Sequence, residues 1–555
     1  MNLDGLNDKQ REAVLQTDGQ VLVLAGAGSG KTTVLVTRLA YILETKNVRP
    51  SEILAITFTN KAAAEMRERI EAKIGSAAHN MWIATFHSAC VRLLRTCIER
   101  IGYDPGFVIY DTADSKTVLK ECMKELNLDE KIFPIRQLQA EIGRAKDNMQ
   151  DPDAYDMVYG TDFRKRTVAE IYKKYQEKLK KNNALDFDDI VFSAVRVLSE
   201  NPDILEHWQS RFRYIMVDEY QDTNNAQYML ISLLAGEDGN ICVVGDDDQS
   251  IYKFRGANIQ NILNFEKEYP NAHTIKLEQN YRSTSTILGA ANAVIANNRG
   301  RCGKSLWTSK DGGEKICAYI ADNEHAEAAY IAGEMLNRHK AGAKFSDFAI
   351  LYRTNAQSRV LEEMMLRSGI PYRVLAGLRF YDRKEIKDAI AYLRLIHSSV
   401  DTVSLKRVIN EPKRGIGASS IEKAEAIAAR EDKPLFEVIC FANEYPELSR
   451  AQIKMVEFAR TINALKKAAE AGGSLSDLVA RVLNETGYMA ALELENSVDA
   501  RTRIENLNEF VSAVADYEKE ETEPSLGGFL ENVSLISDID AYDEDQDAAV
   551  LMTVH

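Results

Sequence analysis

The octapeptide Ala25–Thr32 combines glycines with a lysine and a threonine at a spacing that suits phosphate binding. It follows the apolar run Val21–Leu24 and precedes a helical pattern, so it is predicted to join a strand to a helix. Glycines let backbone N–H groups surround a phosphate, and the N-terminus of a helix favours negative charge. Lys31 would neutralise the β- and γ-phosphates of ATP, and the Thr32 hydroxyl would ligate Mg²⁺. A glycine-rich turn that binds nothing is the weaker alternative. The predicted nucleotide-binding residues here are Ala25, Gly26, Ala27, Gly28, Ser29, Gly30, Lys31, Thr32 and Thr33.

Two acids follow a second apolar run and supply what a phosphate loop needs for hydrolysis. Asp218 and Glu219 come directly after Tyr214–Val217. We expect Asp218 to hold Mg²⁺ and Glu219 to orient and deprotonate the attacking water. The alternative interpretation is an acidic pair on the surface at a strand end. It is less favoured here because the chain also carries a phosphate loop. A phosphate-loop kinase would transfer phosphate to an acceptor and would not need a base at this position.

A third apolar run, Ile241–Val244, leads into a segment with both amide and aromatic side chains. The amide of Gln249 both donates and accepts, which suits a sensor of the γ-phosphate. Tyr252, Phe254 and Arg255 follow closely, and rings interleaved with cations suit unpaired bases and their phosphates. The alternative is that Tyr252 and Phe254 fill a core at strand spacing. These residues alone leave the two interpretations equal.

Composition sets wide limits on the class of protein. The 555 residues are too many for one core, and 45% apolar with 28% charged residues is ordinary for a globular chain. Seven cysteines form no CxxC pair, so neither a disulfide framework nor a zinc site is indicated. No apolar run is long enough to cross a bilayer. We therefore expect a cytoplasmic protein with buried thiols.

The net charge of −15 does not argue against nucleic acid, because it is unevenly distributed. Residues 516–547 contain twelve Asp or Glu and one Lys, which leaves the remainder close to neutral. Local basic grooves are compatible with that remainder. We interpret the acidic stretch 538–547 as a solvated linker.

Periodicity predicts an α/β fold built around parallel sheets. A first ATP-binding α/β domain is predicted at residues 1–109 and 185–280, interrupted by a helical insertion at 110–184. A second α/β domain begins at 281–383, with Phe348–Tyr352 its clearest strand. A longer helical insertion at 384–545 interrupts it, and residues 546–555 return to it as an apolar strand.

Several further segments carry a family resemblance. Leu6–Gln10, Asp218–Thr223 and Gln279–Ser283 resemble signature motifs of the superfamily-one UvrD/Rep/PcrA DNA helicases. The same is true of four other segments, Thr57–Ala63, Thr85–Ser88, Leu185–Asp189 and Tyr352–Ala356. The resemblance covers the whole chain in family order and is closest to the bacterial PcrA/UvrD branch.

The resemblance implies roles for residues that spacing alone does not assign. Gln10 would read the adenine edge, Tyr281 would stack on the base and Arg282 would reach the γ-phosphate. Gln249 would couple that phosphate to the DNA site, so that the implied catalytic residues are Lys31, Glu219, Gln249 and Arg282. The implied DNA-binding residues are Phe58, Asn60, His87, Tyr252, Phe254, Arg255, Arg353 and Asn355.

The implied protein is an ATP-dependent DNA helicase with two RecA-like motor domains, ATP in the cleft between them and a helical insertion on each. It would translocate in the 3′–5′ direction on single-stranded DNA during repair and replication. Its expected cofactors are ATP and Mg²⁺. Its expected partners are single-stranded DNA and single/double-strand junctions, with repair or replication proteins as further candidates and no membrane. We expect it in the bacterial cytoplasm, associated with the nucleoid.

Three departures from the family pattern affect this expectation. Thr33 stands where the family has Arg, which removes one adenine contact, and Phe254 stands where close relatives have Trp. The family pattern also continues past His555 to a motif whose arginine acts as an arginine finger. We therefore expect the second motor domain to be incomplete and the 555 residues to bind ATP and DNA without the last helicase motifs.

A Gly-x-Gly turn in the longer helical insertion is a further DNA-binding candidate. Gly415 and Gly417 follow Lys413 and Arg414, and a helix is predicted to begin near Ser419. Exposed N–H groups at a helix start, flanked by two cations, suit a duplex phosphate. A simple helix-entry turn is an equal alternative.

Two rival functions remain at this stage: a phosphate-loop kinase, and a protein that binds ATP and DNA without being a motor. DNA-stimulated phosphate release distinguishes a motor from both. No residue excludes RNA as the nucleic acid, and only the family resemblance favours DNA.

Overall fold

A computed structural model of the chain describes residues 3–298, 301, 303–375, 380–495, 497–521, 523–535 and 547–554. The chain divides into two compact units. We call the first the sheet unit; it comprises Met1–Cys90, Leu198–Gly377 and Ser537–His555. We call the second the helical unit; it comprises Val91–Val197 and Leu378–Ile536.

The strands of the described residues are β1 (Gln20–Ala25), β2 (Ile53–Thr57), β3 (Trp82–Thr85), β4 (Val108–Tyr110), β5 (Ala184–Asp186), β6 (Tyr214–Val217), β7 (Asn240–Gly245), β8 (His273–Leu277), β9 (Ala349–Tyr352), β10 (Tyr372–Val374) and β11 (Ala549–Thr553).

The main sheet of the sheet unit has six strands in the order β3-β2-β6-β7-β1-β8. All neighbours in it are parallel, and Val21 in the first strand is paired with Cys242. Its central strands are runs of buried Val, Ile and Leu, as expected for a parallel sheet covered on both faces. The apolar runs Val21–Leu24, Ile53–Ile56, Tyr214–Val217 and Ile241–Val244 predict the strands β1, β2, β6 and β7, and all four are confirmed. Strands β3 and β8 were not predicted: β8 alternates polar with apolar residues, and β3 has only four residues directly before a helix.

A three-stranded parallel sheet in the same unit has the order β10-β11-β9. Its middle strand comes from the end of the described chain, where Val550 pairs with Ala349. The predicted strand at 546–555 and the predicted strand at Phe348–Tyr352 are therefore both confirmed. Asp547 is the described part of the acidic stretch 538–547, and its Oδ1 accepts from the Ser346 N–H at 2.9 Å. The rest of that predicted linker lies outside the described residues.

The first half of the chain contains the helices α1 (Asp8–Leu15), α2 (Lys31–Thr45), α3 (Asn60–Ile74), α4 (Phe86–Cys97), α5 (Thr112–Glu125), α6 (Ile135–Asp147), α7 (Pro152–Tyr159), α8 (Phe163–Lys181), α9 (Phe187–Glu200), α10 (Pro202–Arg211), α11 (Asn225–Ala235), α12 (Gln260–Leu263) and α13 (Phe265–Glu268). The second half contains α14 (Ser285–Ile295), α15 (Glu324–Lys340), α16 (Ser358–Arg367), α17 (Lys384–His397), α18 (Thr402–Val408), α19 (Ala418–Glu431), α20 (Leu435–Cys440), α21 (Gln452–Glu470), α22 (Leu475–Glu485), α23 (Tyr488–Glu495), α24 (Val498–Glu520) and α25 (Leu526–Leu535).

The helical unit confirms the two helix-rich segments. Residues 112–181 form four helices, and a short parallel pair of β4 and β5 borders them. Helix α17 is the buried centre of the later segment, where Tyr392 and Leu393 pack against α21, α22 and α24. None of the helices that the structure describes has the length and apolar content needed to span a membrane.

Candidate nucleotide site and neighbouring aromatic surface

Every candidate nucleotide residue of the first α/β segment lies at one edge of the six-stranded sheet. Parallel strands place their carboxyl ends together, and ligands bind at that edge in α/β folds. The phosphate loop follows β1, Asp218 and Glu219 follow β6, and Gln249 follows β7. Lys31 and Glu219, which are 188 positions apart in the chain, are thereby brought to one side of one sheet.

The phosphate loop has the backbone geometry that its glycines predict. Gly28 and Gly30 have φ of 64° and 86°, a region that other residues avoid. Gly30 caps helix α2, so Lys31 and Thr32 stand in its first turn. Ser29 is buried and its Oγ has no hydrogen-bond partner in the protein. A buried hydroxyl left in this way suits a loop that surrounds phosphate oxygens.

Two side chains hold this loop from outside it. The Gln10 Nε2 donates to the Ser29 carbonyl at 2.8 Å, while its Oε1 accepts from the Asn7 N–H at 3.1 Å. Each end of an amide has capacity for a second hydrogen bond, so Gln10 retains the groups needed for an adenine edge. Asn280, which the sequence analysis quoted without assigning a role, donates from Nδ2 to the Ala27 carbonyl at 2.6 Å. The sequence feature that could have pointed to Asn280 is its position inside the family motif Gln279–Ser283.

Lys31 forms an ion pair with Glu219 across the site. The Lys31 Nζ lies 2.9 Å from Oε1 and 2.7 Å from Oε2 of Glu219. Glu219 has φ of 50° and ψ of 43°, a left-handed conformation that a non-glycine residue adopts only when its surroundings impose it. Strain of this kind concentrates at functional sites. The ammonium predicted to meet phosphate and the carboxylate predicted to activate water are thus in direct contact.

Asp218 has the electrostatics of a cation ligand. Burial, followed by the charge of neighbouring Glu219, raises the pKa of its carboxyl to about 6, although the nearby Lys31 ammonium acts in the opposite direction. A metal ion would add positive charge and so favour the ionised form of this carboxylate. Thr32 stands in the first turn of α2 and supplies a hydroxyl. A carboxylate and a hydroxyl are the oxygen donors that Mg²⁺ prefers, so the residues present fit this ion.

Gln249 is connected to Glu219 through one buried amide. The Gln249 Nε2 donates to the Asp246 carboxylate, and the Asp246 N–H donates to Oε1 of Gln221 at 2.9 Å. The Gln221 Nε2 donates in turn to Oε2 of Glu219 at 2.9 Å. Gln221 is buried and received no role in the sequence analysis. It links the predicted γ-phosphate sensor to the predicted base.

Tyr281 and Arg282 lie beside the phosphate loop. The Tyr281 N–H donates to the Gly28 carbonyl at 2.9 Å, and its hydroxyl accepts from the Asn7 amide at 2.7 Å. Arg282 lies directly against the loop, because a Cβ added to Gly28 would be only 2.7 Å from the Arg282 Cβ. The ring of Tyr281 is exposed, as a base-stacking surface requires. Thr33 is also exposed, in the first turn of α2.

The predicted stacking residues form one aromatic surface on the sheet unit. Phe58 follows β2, and its ring centroid lies 5.1 Å from that of Tyr252, which lies 6.1 Å from that of Phe254. The Arg255 guanidinium lies 5.6 Å from the Tyr252 centroid, and that of Arg353 lies 5.9 Å from the Phe254 centroid. Phe254 is 56% exposed on a 3-10 turn, Lys253–Arg255. The alternative that Phe254 fills a core at strand spacing is therefore wrong.

Three further DNA-binding candidates lie at element ends of the same unit. Asn60 is the first residue of α3, His87 is the second residue of α4, and Asn355 begins a 3-10 turn after β9. Each of these residues follows the carboxyl end of a strand directly or after a short turn. Asn60 and His87 therefore lie at the edge of the six-stranded sheet that also carries the nucleotide residues. Asn355 lies at the carboxyl edge of the three-stranded sheet.

The Gly-x-Gly turn of the helical unit is only partly as predicted. Gly417 caps α19, which begins at Ala418, and Gly415 has φ of 74°. The Arg414 guanidinium is not available to a phosphate, since it donates to the Tyr392 hydroxyl at 2.7 Å and the Thr486 carbonyl at 2.9 Å. The expectation that Arg414 flanks the site as a cation is wrong. The cation beside Gly415 is instead Lys454. A Cβ added to Gly415 would lie only 2.6 Å from the Lys454 Nζ.

The fold and the site define a class of protein. Residues 6–270 match the UvrD/REP helicase N-terminal domain, and residues 275–555 match the UvrD-like helicase C-terminal domain. The chain belongs to the UvrD/Rep helicase family, as its motifs predicted.

The chain is also similar to individual members of this family. It is 48% identical over 560 residues to the ATP-dependent DNA helicase PcrA of Bacillus subtilis, covering 100% of this chain and 76% of that protein. It is 47% identical over 555 residues to the ATP-dependent DNA helicase PcrA of Staphylococcus aureus strain Mu50, with the same coverage. The protein of that name from Staphylococcus epidermidis is 48% identical over 99% of this chain and 75% of its own length.

Proposed function

We propose that this chain is the motor of an ATP-dependent DNA helicase, which hydrolyses ATP to move in the 3′–5′ direction along single-stranded DNA and to separate duplexes. The observation that carries the proposal is the placement of an acid–lysine nucleotide site and an exposed aromatic surface at one edge of one sheet. A chain of hydrogen bonds runs from Glu219 through Gln221 and Asp246 to Gln249. It links the nucleotide site to the aromatic surface, because Tyr252 and Phe254 lie within five residues after Gln249. The similarity to PcrA helicases supports it.

The proposed mechanism begins with the Lys31–Glu219 ion pair. An incoming triphosphate offers Lys31 a stronger anionic partner, so the ammonium moves to phosphate and Glu219 becomes free to accept a proton from water. Mg²⁺ held by Thr32 and Asp218 would neutralise charge on the phosphates. Gln249 contacts the γ-phosphate, Arg282 adds positive charge there, and Gln10 and Tyr281 hold the base.

The proposed strand-binding residues act by stacking and charge. Phe58, Tyr252 and Phe254 stack on bases, while Arg255 and Arg353 meet the backbone. Asn60, His87 and Asn355 add polar contacts, and Gly415 and Gly417 bind duplex phosphate with Lys454 nearby. Single/double-strand junctions are then the natural substrate.

The four-domain division predicted above is part of this proposal: two RecA-like motor domains (1–109 with 185–280, and 281–383 with 546–555) and helical insertions at 110–184 and 384–545. The proposal also includes activity in repair and replication, repair or replication proteins as further partners, and a location in the bacterial cytoplasm at the nucleoid.

The test of this function is phosphate release from ATP by the full-length protein, with and without single-stranded DNA, followed by unwinding of partial duplexes. We expect DNA to stimulate hydrolysis and unwinding to need a 3′ tail. A duplex with only a 5′ tail is the matched control. ATP hydrolysis that DNA does not change would contradict a motor, and phosphate appearing on an acceptor would identify a kinase. Equal stimulation by RNA would widen the substrate class.

Phe254→Ala tests the aromatic surface. Base–aromatic stacking contributes about 1–3 kcal/mol per base, so we expect single-strand affinity to fall roughly tenfold or more. The melting temperature should change little, because an exposed ring contributes little to the folding free energy. Fluorescence anisotropy with a labelled oligonucleotide and thermal denaturation measure the two quantities.

The matched control for this variant is Phe441→Ala, which removes a ring that is 50% exposed in the helical unit. We expect it to leave single-strand affinity within about twofold of wild type. Unchanged affinity in Phe254→Ala would show that this ring does not bind the strand.

A further inference from the structure

Lys304 is a buried cation that no helicase motif quoted above includes. Its residue is 3% exposed, and its Nζ lies 2.6 Å from Oδ1 of Asp246 and 3.0 Å from Oδ2 of Asp248. It also forms an ion pair with Asp247. These three carboxylates could by their chemistry hold a metal ion, but the ammonium of Lys304 occupies the position between them.

A second cation completes this cluster. The Arg301 Nη2 lies 2.7 Å from Oδ2 of Asp248 and donates to the Lys304 carbonyl at 2.6 Å. Three carboxylates thus face two cations from one short segment. Removal of a buried cation leaves its carboxylate partners uncompensated, so this contact strongly holds the loop Asp246–Asp248 in place.

The carboxylate that Lys304 holds is the one that restrains the predicted γ-phosphate sensor. Oδ1 of Asp246 faces Lys304, while its Oδ2 accepts from the Gln249 amide. The Asp246 N–H also donates to Gln221, which donates to Glu219. Any displacement of Asp246 is therefore passed both to the sensor and to the predicted base.

The segment that carries Lys304 also contacts the phosphate loop. A Cβ added to Gly26 would lie 2.0 Å from Cδ2 of Leu306, so this side chain packs directly on the loop. Trp307 is paired with the strand end beside it, since its N–H donates to the Glu278 carbonyl at 3.0 Å and its carbonyl accepts from the Asn280 N–H at 2.7 Å. The short segment Lys304–Trp307 thus contacts both loops that would surround the γ-phosphate.

We propose that Lys304 is a positioning residue for ATP hydrolysis. It sets, through the Asp246 carboxylate, the orientation of Gln249, the residue proposed to contact the γ-phosphate. This inference rests on the proposed function. Lys304 acts through Asp246 and not on a reacting atom. Its loss impairs the rate of the DNA-stimulated reaction and leaves ground-state binding of ATP and DNA intact.

The experiment compares Lys304→Met with wild type in the full-length protein. We expect the DNA-stimulated kcat to fall by about tenfold or more, the effect of losing one charge-assisted hydrogen bond. The KM for ATP and the Kd for single-stranded DNA should stay within about twofold of wild type. Lys315→Met, which removes an exposed lysine nearby in the chain, is the matched control and should not change any of these values.

A second variant separates positioning from stability. Lys304→Met combined with Asp247→Asn restores the charge balance of the cluster without restoring the contact to Asp246. We expect the double variant to recover melting temperature but not kcat. Recovery of both, or a kcat within about twofold of wild type in both variants, would show that Lys304 serves stability alone. Absence of DNA-stimulated hydrolysis in wild type would instead contradict the proposed function itself.

Discussion

Replacement of Glu219 by glutamine is expected to slow ATP hydrolysis by the full-length protein by about two to four orders of magnitude, the range that a positioned general base contributes. Glutamine has the same size and still accepts a hydrogen bond from Gln221, but it cannot take a proton from water. The left-handed backbone at this position is unaffected by the change, since both side chains are unbranched at Cβ.

ATP binding should not weaken in this variant. Lys31 is paired with both Glu219 oxygens in the protein alone, and glutamine competes less well than a carboxylate for that ammonium. Single-turnover phosphate release and titration of a fluorescent ATP analogue measure the two effects. Glu68→Gln, an exposed change on α3, is the matched control. A Glu219→Gln protein that keeps more than about a tenth of the wild-type rate would exclude Glu219 as the base.

Replacement of Lys31 by alanine is expected to weaken ATP binding by about tenfold to a hundredfold, because hydrogen bonds between charged groups contribute about 1.5–3 kcal/mol. The fold should persist. Lys31 is the first residue of α2, where alanine is a strong helix former, and the partly exposed ion pair that is lost contributes only about 0–1 kcal/mol.

Titration with the fluorescent analogue and a thermal melt test this expectation together. Lys73→Ala removes an exposed lysine from α3 and serves as the control for lost charge. Lys31→Arg keeps the charge with a different shape and should bind ATP with intermediate affinity, since the compact ammonium fits a phosphate loop better than a planar fork. Affinities within about twofold of wild type in Lys31→Ala would exclude the assigned contact with phosphate.

Local patterns in the amino-acid sequence determined much of this architecture. The apolar runs before Ala25, Asp218 and Gly245 predicted the strands that position the nucleotide residues, because a buried parallel strand must be apolar on both faces. The glycines predicted a loop whose backbone can surround phosphate, and Gly28 and Gly30 adopt the left-handed conformations that glycine allows. The order and spacing of the motifs were sufficient to identify the helicase family. Strand β8 was not predicted because polar residues interrupt its apolar ones, and β3 because it has only four residues before a helix begins.

Only the tertiary structure decided which side chains meet. Lys31 and Glu219 are 188 positions apart, and Lys304 and Asp247 are 57 apart, so no local pattern predicts either ion pair. The same holds for Arg414, whose sequence neighbours suggested a phosphate contact but whose guanidinium faces inward to Tyr392. Charged side chains are long enough to take several partners, and burial selects among them because an unpaired charge away from water is costly. Strands and turns follow from neighbours in the chain, whereas ion pairs depend on how the sheet folds.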